Sequence, residues 1–476
     1  MRTCRRTHLG ILGVVAAALL LAVAWSAPAP AAARYTLSVD VDYASATYEG
    51  IASVSYTNDT PEALSELFFR LYPNAATLYA GSSAEVLSAR VGDVPTDTAL
   101  FVDDTVLMVA LPETLLPAQT ATVTLTFRGR ASLRLEQNPP LTGEYGILTR
   151  TPHTLVLTSF YPLLAPYLEE GWALDPVCGI GDALFSEASP YDVTIRIDRR
   201  VTPIATGFLV DATPDGDAVV YRYAADQARD FSVVLTDDGR VPLRAAQDGV
   251  ALRIWFQPGH DVAAARAVER AVAAVRLYTS LIGPLPYDEV DLVEAPLQHV
   301  GGVELTGLVL LSDTYTAAPY DVFFDILVSH ELAHEWFYAA VGNDPVESPW
   351  LDEGLVTYLS NVFLAASSPD IAAAERDRWA RAASQAAGTH PELSPISPLY
   401  GFPDSATYSA LAYSGAAAGF HALRTEFGDA AFFTALSEYY RATLFTIAAP
   451  LDLRRAFEAA CGCDVDGILF PRSTSP

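Results

Sequence analysis

The chain has 476 residues, of which 51% are hydrophobic and 18% charged, so its composition supports folded domains and excludes general disorder. Its 57 acidic residues outnumber its 29 basic residues, which gives a formal net charge of −28. A surface with this charge repels phosphate backbones and argues against nucleic acid as a partner. The length corresponds to two or three domains at roughly 100–200 residues each.

The N-terminus has the pattern of a secretory signal peptide. Three arginines precede an apolar run over residues 9–25, and small residues with an A-x-A cleavage site follow at residues 31–33. We therefore expect residues 1–33 to be removed and the protein to be secreted or otherwise extracytoplasmic, with no stable membrane span afterwards. The alternative is an uncleaved membrane anchor, since the apolar run can nearly span a bilayer.

Residues 34–240 are predicted to form an N-terminal β domain. Apolar and polar residues alternate with a period of two in segments such as 35–42, 121–127 and 191–197. Each such strand has one apolar face, so the sheets must stack or close to bury it.

Three cysteines remain once residues 1–33 are removed. Export permits a disulfide, and we expect Cys178 to pair with Cys461 or Cys463. A bridge between the last two would close a very tight ring. One thiol is left over in any pairing. A C-x-C zinc site is the alternative, although no further ligands surround it.

Residues 241–476 are predicted to form a second domain in which helices dominate, with a short helical C-terminal end. Apolar residues at spacings of three and four predict a first helix at 261–281, before short strands at 289–294 and 308–312. Further helices are predicted at 321–341, 351–365, 371–387, 406–427, 430–446 and 450–460.

The helix predicted at 321–341 contains the sequence H-E-L-A-H at residues 330–334. Residues four apart share one face of a helix, so the imidazoles of His330 and His334 can reach one metal ion. Neutral imidazole suits zinc, and a catalytic zinc site uses three protein ligands with a fourth position open. Glu331 lies beside them and can act as the general base. The pattern predicts one Zn²⁺ per chain.

Glu353 is the predicted third ligand. It lies nineteen positions after His334, at the start of the helix predicted at 351–365. Taken alone, it would be an ordinary carboxylate near a helix N-terminus. An antiparallel helix pair with a short connection would bring it back against the two histidines, and this spacing favours the ligand role.

Residues 330–336, H-E-L-A-H-E-W, together with residues 350–354, W-L-D-E-G, resemble the gluzincin zinc aminopeptidases, the family of alanyl aminopeptidases and leukotriene-A hydrolase-like enzymes. The resemblance covers roughly residues 34–470. It implies a multidomain α and β fold, with an N-terminal β-sandwich or saddle-like sheet domain and a thermolysin-like, mainly α catalytic domain. It further implies two histidines and a glutamate as zinc ligands, and a short bacterial-type form without the family's long C-terminal helical domain.

The resemblance also identifies candidate substrate-binding residues. Residues 301–305, G-G-V-E-L, occupy the place of the family's G-x-M-E-N strand, which points to Gly301, Gly302 and Glu304. The family's glutamate at this place binds the free α-amino group of the substrate, and a carboxylate suits an ammonium. Valine and leucine replace the methionine and asparagine beside this glutamate, so substrate positioning can differ from that of the standard enzymes.

Tyr413 aligns with the family's catalytic tyrosine, whose phenol donates a hydrogen bond to the oxyanion of the tetrahedral intermediate. Gly415 and Ala416 stand where the family has lysine and glycine, and Tyr408 lies close by in the sequence.

These residues predict an exported zinc metallopeptidase, an aminopeptidase that removes N-terminal residues from peptides by zinc-dependent attack of water with Glu331 as the general base. One alternative is a gluzincin with endopeptidase or other hydrolase activity, because the strand that carries Glu304 is altered. Another is a non-catalytic binding protein that keeps the fold, against which the intact Glu331 argues. Peptides are the expected partners, and the sequence leaves the oligomeric state open.

Overall fold

A computed structural model describes residues 31–135, 141–316 and 319–470. A sheet-rich N-terminal part precedes a part in which helices dominate, which confirms the predicted fold class. Of the predicted signal segment, residues 1–30 lie outside the described ranges. None of the helices within those ranges is both long enough and apolar enough to cross a bilayer.

The strands of the N-terminal part follow the predicted alternation. In the first strand every second side chain is buried, because one face lies on the core and the other faces solvent. In chain order the strands are β1 (Ala33–Asp42), β2 (Thr47–Thr57), β3 (Leu64–Arg70), β4 (Ser83–Val91), β5 (Val94–Pro95), β6 (Thr98–Phe101), β7 (Val106–Leu115), β8 (Thr120–Arg130), β9 (Ser132–Leu133), β10 (Leu148–Arg150), β11 (Thr154–Leu157), β12 (Leu163–Leu164), β13 (Tyr167–Leu168), β14 (Gly171–Trp172), β15 (Ser189–Asp198), β16 (Thr202–Ala205), β17 (Phe208–Asp215), β18 (Ala218–Ala228) and β19 (Val233–Thr236).

Three of the sheets enclose one core. The largest has the order β17-β18-β15-β1-β2-β8-β4-β5, and the two smaller ones have the orders β16-β19-β11-β10-β9 and β12-β3-β7-β6. Tyr35 and Phe127 from the large sheet, Phe69 from β3 and Leu157 from β11 are buried in the same cluster. The apolar faces are therefore hidden by stacking, as the alternating pattern requires.

The second part is built on a five-stranded sheet with the order β20-β21-β22-β24-β23. Strands β21, β22 and β24 are parallel, and the short edge strand β23 runs antiparallel to β24. Its strands and the helices that follow are β20 (Leu243–Gln247), β21 (Val250–Trp255), α1 (Asp261–Leu281), β22 (Glu289–Ala295), β23 (Gly302–Val303), β24 (Leu308–Ser312), α2 (Asp313–Thr316), α3 (Val322–Ala333), α4 (Trp350–Ser367), α5 (Pro369–Thr389), α6 (Ser405–Tyr408), α7 (Ala416–Phe427), α8 (Asp429–Ala442), α9 (Pro450–Cys461) and α10 (Val465–Leu469).

The helix predicted at 430–446 ends at Ala442, and two further helix predictions miss a change in backbone geometry. The helix predicted at 321–341 ends at Ala333, and hydrogen bonds between residues five apart follow, from the amides of Ala339 and Ala340 back to His334 and Glu335. The helix predicted at 406–427 contains a π-helical segment, Ser409–Gly415, between α6 and α7. Apolar residues continue through both regions, so their periodicity does not reveal the change in backbone geometry.

The predicted disulfide is also wrong. Cys461 pairs with Cys463, and Cys178 is free. Cys178 packs against a small cluster around Tyr408, whereas the other two cysteines pack against the main helical core. Gly462 adopts a left-handed conformation with φ 65°, and the resulting turn brings the two neighbouring sulfurs together.

A small apolar cluster joins the two parts. Val156 and Val234 from the β16–β9 sheet pack with Val293, Leu308 and Leu310 from the sheet of the second part. The chain changes from one sheet to the other between β19 and β20. The domain limits of 34–240 and 241–476 stay a prediction.

Candidate active site

The end of α3 carries the two histidines. Asp321 caps the start of the helix, where its side chain accepts a hydrogen bond of 2.9 Å from the Phe323 amide. His330 lies in the last turn, and His334 follows directly after Ala333. The two Nε2 atoms are 3.3 Å apart, so both imidazoles converge on one point, as the spacing of four predicts.

The first turn of α4 brings Glu353 to the same point. Its Oε2 atom lies 3.4 Å from Nε2 of His330 and 3.5 Å from Nε2 of His334. The helix is held close to α7 at the next residue, because a Cβ on Gly354 would lie only 2.3 Å from that of Ala416. The small residue after Glu353 therefore allows the close packing that positions the carboxylate.

These three residues fit a zinc ion. Donor atoms at zinc bond lengths of about 2.0–2.1 Å in a tetrahedron are about 3.3–3.4 Å apart, close to the three separations observed. Glu353 Oε2 is buried and has no hydrogen-bond partner, which leaves its lone pairs free to bind a metal ion. The other nitrogen of His334, Nδ1, lies 3.1 Å from the Phe337 carbonyl, an arrangement that directs Nε2 to a metal. Although burial acts in the opposite direction, the two imidazoles beside the carboxylate hold the pKa of Glu353 well below its usual range.

Glu331 lines the cleft together with the three candidate ligands. Its side chain is buried, and its Oε2 atom has no hydrogen-bond partner. Burial raises the pKa of Glu331 to about 8. The backbone of β23 runs against this carboxylate, since a Cβ on Gly302 would lie 2.3 Å from its Cδ atom. A buried carboxyl with a pKa near neutrality is suited to accepting and returning a proton.

Tyr413 reaches the site from the π-helical segment. Its hydroxyl donates a hydrogen bond to Oε1 of Glu353, and its ring stacks on that of His330 with centroids 6.2 Å apart. Tyr408, the nearby alternative, packs edge-on against the Tyr413 ring at 5.4 Å. The structure thus places the predicted phenol against the ligand set, with the second tyrosine behind it.

Glu304 follows the edge strand β23, next to Gly301 and Gly302, and all three line the cleft. The Glu304 side chain is buried, and burial together with the neighbouring carboxylates of Asp182 and Glu353 raises its pKa well above the usual range. Leu305, which stands in place of the family's asparagine, packs into the apolar cluster between the two parts. This burial accounts for its apolar character.

Asp182 is a cleft residue that sequence reasoning missed. It lies in the loop between β14 and β15 of the β domain, and it has a carboxylate oxygen within 4.8 Å of ligand atoms of Glu304 and Glu353. Burial and the Glu353 charge raise its pKa well above the usual range. The only signal in the sequence is the pair of glycines that precede it, Gly179 and Gly181. In the structure Gly181 adopts φ 66° and lies beside Leu399. One aspartate after two glycines carries no motif.

The cleft has a volume of about 650 Å³ and is lined by both parts of the chain. Tyr79 and Tyr145 line it from the β domain, and His299 faces Tyr145 with ring centroids 5.5 Å apart. Helices α4 and α5 line the opposite side with residues that include Asn361 and Arg378. The ligand trio therefore opens onto a space that can hold a short peptide.

Comparisons with known proteins agree with this geometry. Residues 266–471 match the peptidase family M1 domain. Over 194 residues the chain is 25% identical to the puromycin-sensitive aminopeptidase of Caenorhabditis elegans, which covers 38% of this chain and 20% of that protein. Over 193 residues it is 28% identical to aminopeptidase N of Streptomyces lividans, which covers 38% of this chain and 22% of that protein.

The whole fold is similar to that of the M1 zinc metallopeptidase from Deinococcus radiodurans, with a TM-score of 0.66 and 18% identity over 92% of this chain and 93% of that one. This likeness establishes the fold. The resemblance to the gluzincin aminopeptidase family, predicted from the motif residues, is confirmed by these matches. The matched stretches span only 20% and 22% of the two curated relatives, so the activities of those proteins reach this chain as a proposal.

Proposed function

We propose that this chain, whose residues 266–471 match the peptidase family M1 domain, is an exported zinc aminopeptidase that removes N-terminal residues from peptides. His330, His334 and Glu353 would hold the ion. When bound, Zn²⁺ supplies Lewis-acid chemistry at the scissile carbonyl and acidifies water there.

The proton steps belong to Glu331. Its carboxylate lies beside the ligand set, takes a proton from the attacking water and returns it to the leaving amine. The neighbouring Gly302 leaves no room for Glu331 to move towards β23, which keeps the carboxylate facing the cleft. The Tyr413 hydroxyl, which already lies at the Glu353 carboxylate, donates to the developing oxyanion.

One observation carries the aminopeptidase assignment. Glu304 and Asp182 place two carboxylates beside Glu353, the first buried and the second half-buried, and none of the described residues forms an ion pair with either of them. Buried carboxylates without a cation are costly, and the ammonium group of a peptide N-terminus would neutralise them. Because these groups lie next to the ligand trio, a peptide anchored there presents its first peptide bond for cleavage.

The test is hydrolysis of leucine p-nitroanilide by the wild type, Glu331→Gln and the surface control Glu438→Gln, with the zinc content of each measured. We expect Glu331→Gln to keep its zinc and to lose about 10²–10⁴-fold in kcat, the usual contribution of a general base. The control should match the wild type, because Glu438 is exposed on α8. An inactive wild type that contains stoichiometric zinc would reject the enzyme assignment.

N-terminally acetylated leucyl peptides separate the aminopeptidase from an endopeptidase. Acetylation removes the ammonium group, so we expect cleavage at the blocked residue to be lost. Cleavage of blocked and free peptides at equal rates would remove the role proposed for Glu304 and Asp182.

Export is proposed from the signal pattern over residues 1–33. If the signal segment is cleaved, the mature protein begins at Arg34, and N-terminal sequencing of the exported protein tests this. A mature chain that retains residues 9–25 in a membrane fraction would instead support the anchored alternative.

A further inference from the structure

The charges that line the cleft are strongly one-sided. Carboxylates predominate, and Arg378 on α5 is the one guanidinium among the described residues that line it. The acidic side chains that line it are those of Asp182, Glu304, Glu331, Glu353 and Glu375. A free peptide carries an ammonium at one end and a carboxylate at the other, and Asp182 and Glu304 suit only the ammonium end.

Arg378 lies on the part of the cleft that leads away from the metal ligands. Helix α4 lines the cleft with Glu353, Thr357 and Asn361, which share one face and span about 12 Å of helix rise. Helix α5 packs against α4, because Asn361 donates a hydrogen bond of 2.9 Å to the Ala372 carbonyl. The Arg376 guanidinium donates to the Asn361 side chain at 2.8 Å.

Further along α5, Ala383 approaches the segment that carries Tyr413. A Cβ on Gly415 would lie 3.5 Å from that of Ala383. Arg378 therefore lies between the level of Asn361 and the level of Tyr413, about 7–8 Å of helix rise from Ala383. One or two extended residues span about 3.4–7 Å, which is of the same order as the rise along α5 from the level of Gly415 to Arg378.

Arg378 keeps most of its hydrogen-bonding capacity. It donates to Glu375, but a guanidinium has five N–H donors. The Arg378 side chain is 65% exposed, whereas that of Glu375 is 14% exposed, so the guanidinium is the outer member of the pair. Glu375 can hold it in place while the remaining donors face the cleft.

We propose that Arg378 binds the C-terminal carboxylate of the substrate, so that the preferred substrates are dipeptides and tripeptides with a free carboxyl end. This inference rests on the proposed aminopeptidase activity and specifies its substrate class. The ammonium binds at Asp182 and Glu304, the first peptide bond lies at the ligand trio, and the carboxylate one or two residues later reaches the guanidinium.

The experiment compares kcat/KM for the tripeptide leucyl-glycyl-glycine with that for its C-terminal amide, in the wild type and in Arg378→Gln. We expect the wild type to prefer the free acid by about tenfold or more, and mainly through KM, as for a hydrogen bond to a charged group. The variant should hydrolyse acid and amide equally. The matched control is Arg381→Gln, which removes the same charge from an exposed site on α5 that does not line the cleft and should keep the preference.

Two further substrates distinguish the outcomes. Leucine p-nitroanilide has no carboxylate, so Arg378→Gln should hydrolyse it like the wild type, which also shows that the variant folds. Failure of the wild type on this anilide would reject the proposed function, and the inference with it. Hydrolysis of the anilide without an acid-to-amide preference would overturn the inference alone. The C-terminal amide of leucyl-aspartyl-glycine tests whether Arg378 binds an acidic side chain instead. If the wild type hydrolyses this amide as fast as it hydrolyses leucyl-glycyl-glycine with its free carboxyl end, the assignment of the C-terminal carboxylate is overturned.

Discussion

Asp182 lies among the catalytic-domain carboxylates although it belongs to the β domain. Its half-buried carboxylate lies within 4.8 Å of Glu304 and Glu353 ligand atoms, and partial burial together with the Glu353 charge raises its pKa well above the usual range. A substrate ammonium would stabilise the charged form of each of these acids. The β domain therefore contributes directly to the proposed binding of the peptide N-terminus.

We expect Asp182→Asn to weaken substrate binding and to leave the chemical step largely intact. The asparagine keeps the size of the side chain but loses the charge that pairs with the ammonium. KM for leucine p-nitroanilide should rise about 10- to 100-fold, as for a lost charge-assisted hydrogen bond, and kcat should fall much less. Asp175→Asn is the control, because Asp175 is exposed in the same loop. A loss confined to kcat would contradict the binding role.

The convergence of His330, His334 and Glu353 was predictable from the sequence, because it depends on local spacing. Histidines four apart on a helix converge whatever the rest of the fold, and Glu353 needed only a return by the next helix. Asp182 depends on how a long loop of another domain folds over the cleft. Nothing in its neighbouring residues encodes that contact, so the sequence could not reveal it.

Secondary structure was predicted best where a single periodicity continues to a clear end. Helix α1 has the predicted bounds of Asp261 and Leu281, and strand β24 has those of Leu308 and Ser312. Prediction failed after Ala333, where apolar residues continue but the backbone bonds link residues five apart. The hydrophobic pattern of the sequence reports burial, and the residues directly before and after Ala333 are equally buried. Only the backbone geometry distinguishes the two segments.

The contact between α4 and α7 gives a prediction for Gly354. Alanine improves helix propensity by about 0.8–1 kcal/mol, but its Cβ would overlap that of Ala416, and overpacking typically costs about 1–3 kcal/mol. We therefore expect Gly354→Ala to lower the free energy of unfolding by up to about 2 kcal/mol. It should also reduce zinc affinity, because Glu353 is the adjacent residue.

Gly388→Ala is the matched control for this variant. Gly388 lies in α5, and nothing lies within 4 Å of the position that its Cβ would occupy. The control should gain roughly 0.5–1 kcal/mol of stability from propensity alone. Urea denaturation and zinc titration measure both quantities. If Gly354→Ala and Gly388→Ala raise the free energy of unfolding equally, α4 and α7 can move apart at residue 354 without a loss of stability.

At the scale of the whole molecule, a buried arginine joins the β domain to the catalytic domain. Arg229 is 2% exposed and donates hydrogen bonds to the carbonyls of Ser186 at 3.2 Å and Thr446 at 2.9 Å, and to that of Tyr338. These acceptors belong to both parts of the chain. The junction therefore depends on buried polar groups as well as on the apolar cluster, and a buried titratable group beside them makes it sensitive to pH.

Asp230, next to Arg229, gives the pH dependence a definite sign. Its side chain is 0% exposed, Oδ1 has no hydrogen-bond partner, and burial raises its pKa from 3.8 to about 6. Because the folded pKa is the higher one, this group's contribution to stability is fully present below about pH 3.8 and is lost as the pH rises through about 6.

The loss of stability from this one titration amounts to at most about 3 kcal/mol. Asp230→Asn removes this titration, so its free energy of unfolding relative to the wild type should increase between pH 4.5 and pH 8. Urea denaturation across that range measures the difference, with exposed Asp226→Asn as the control. Parallel stability curves for Asp230→Asn and the wild type would show that Asp230 keeps its ordinary pKa in the folded protein.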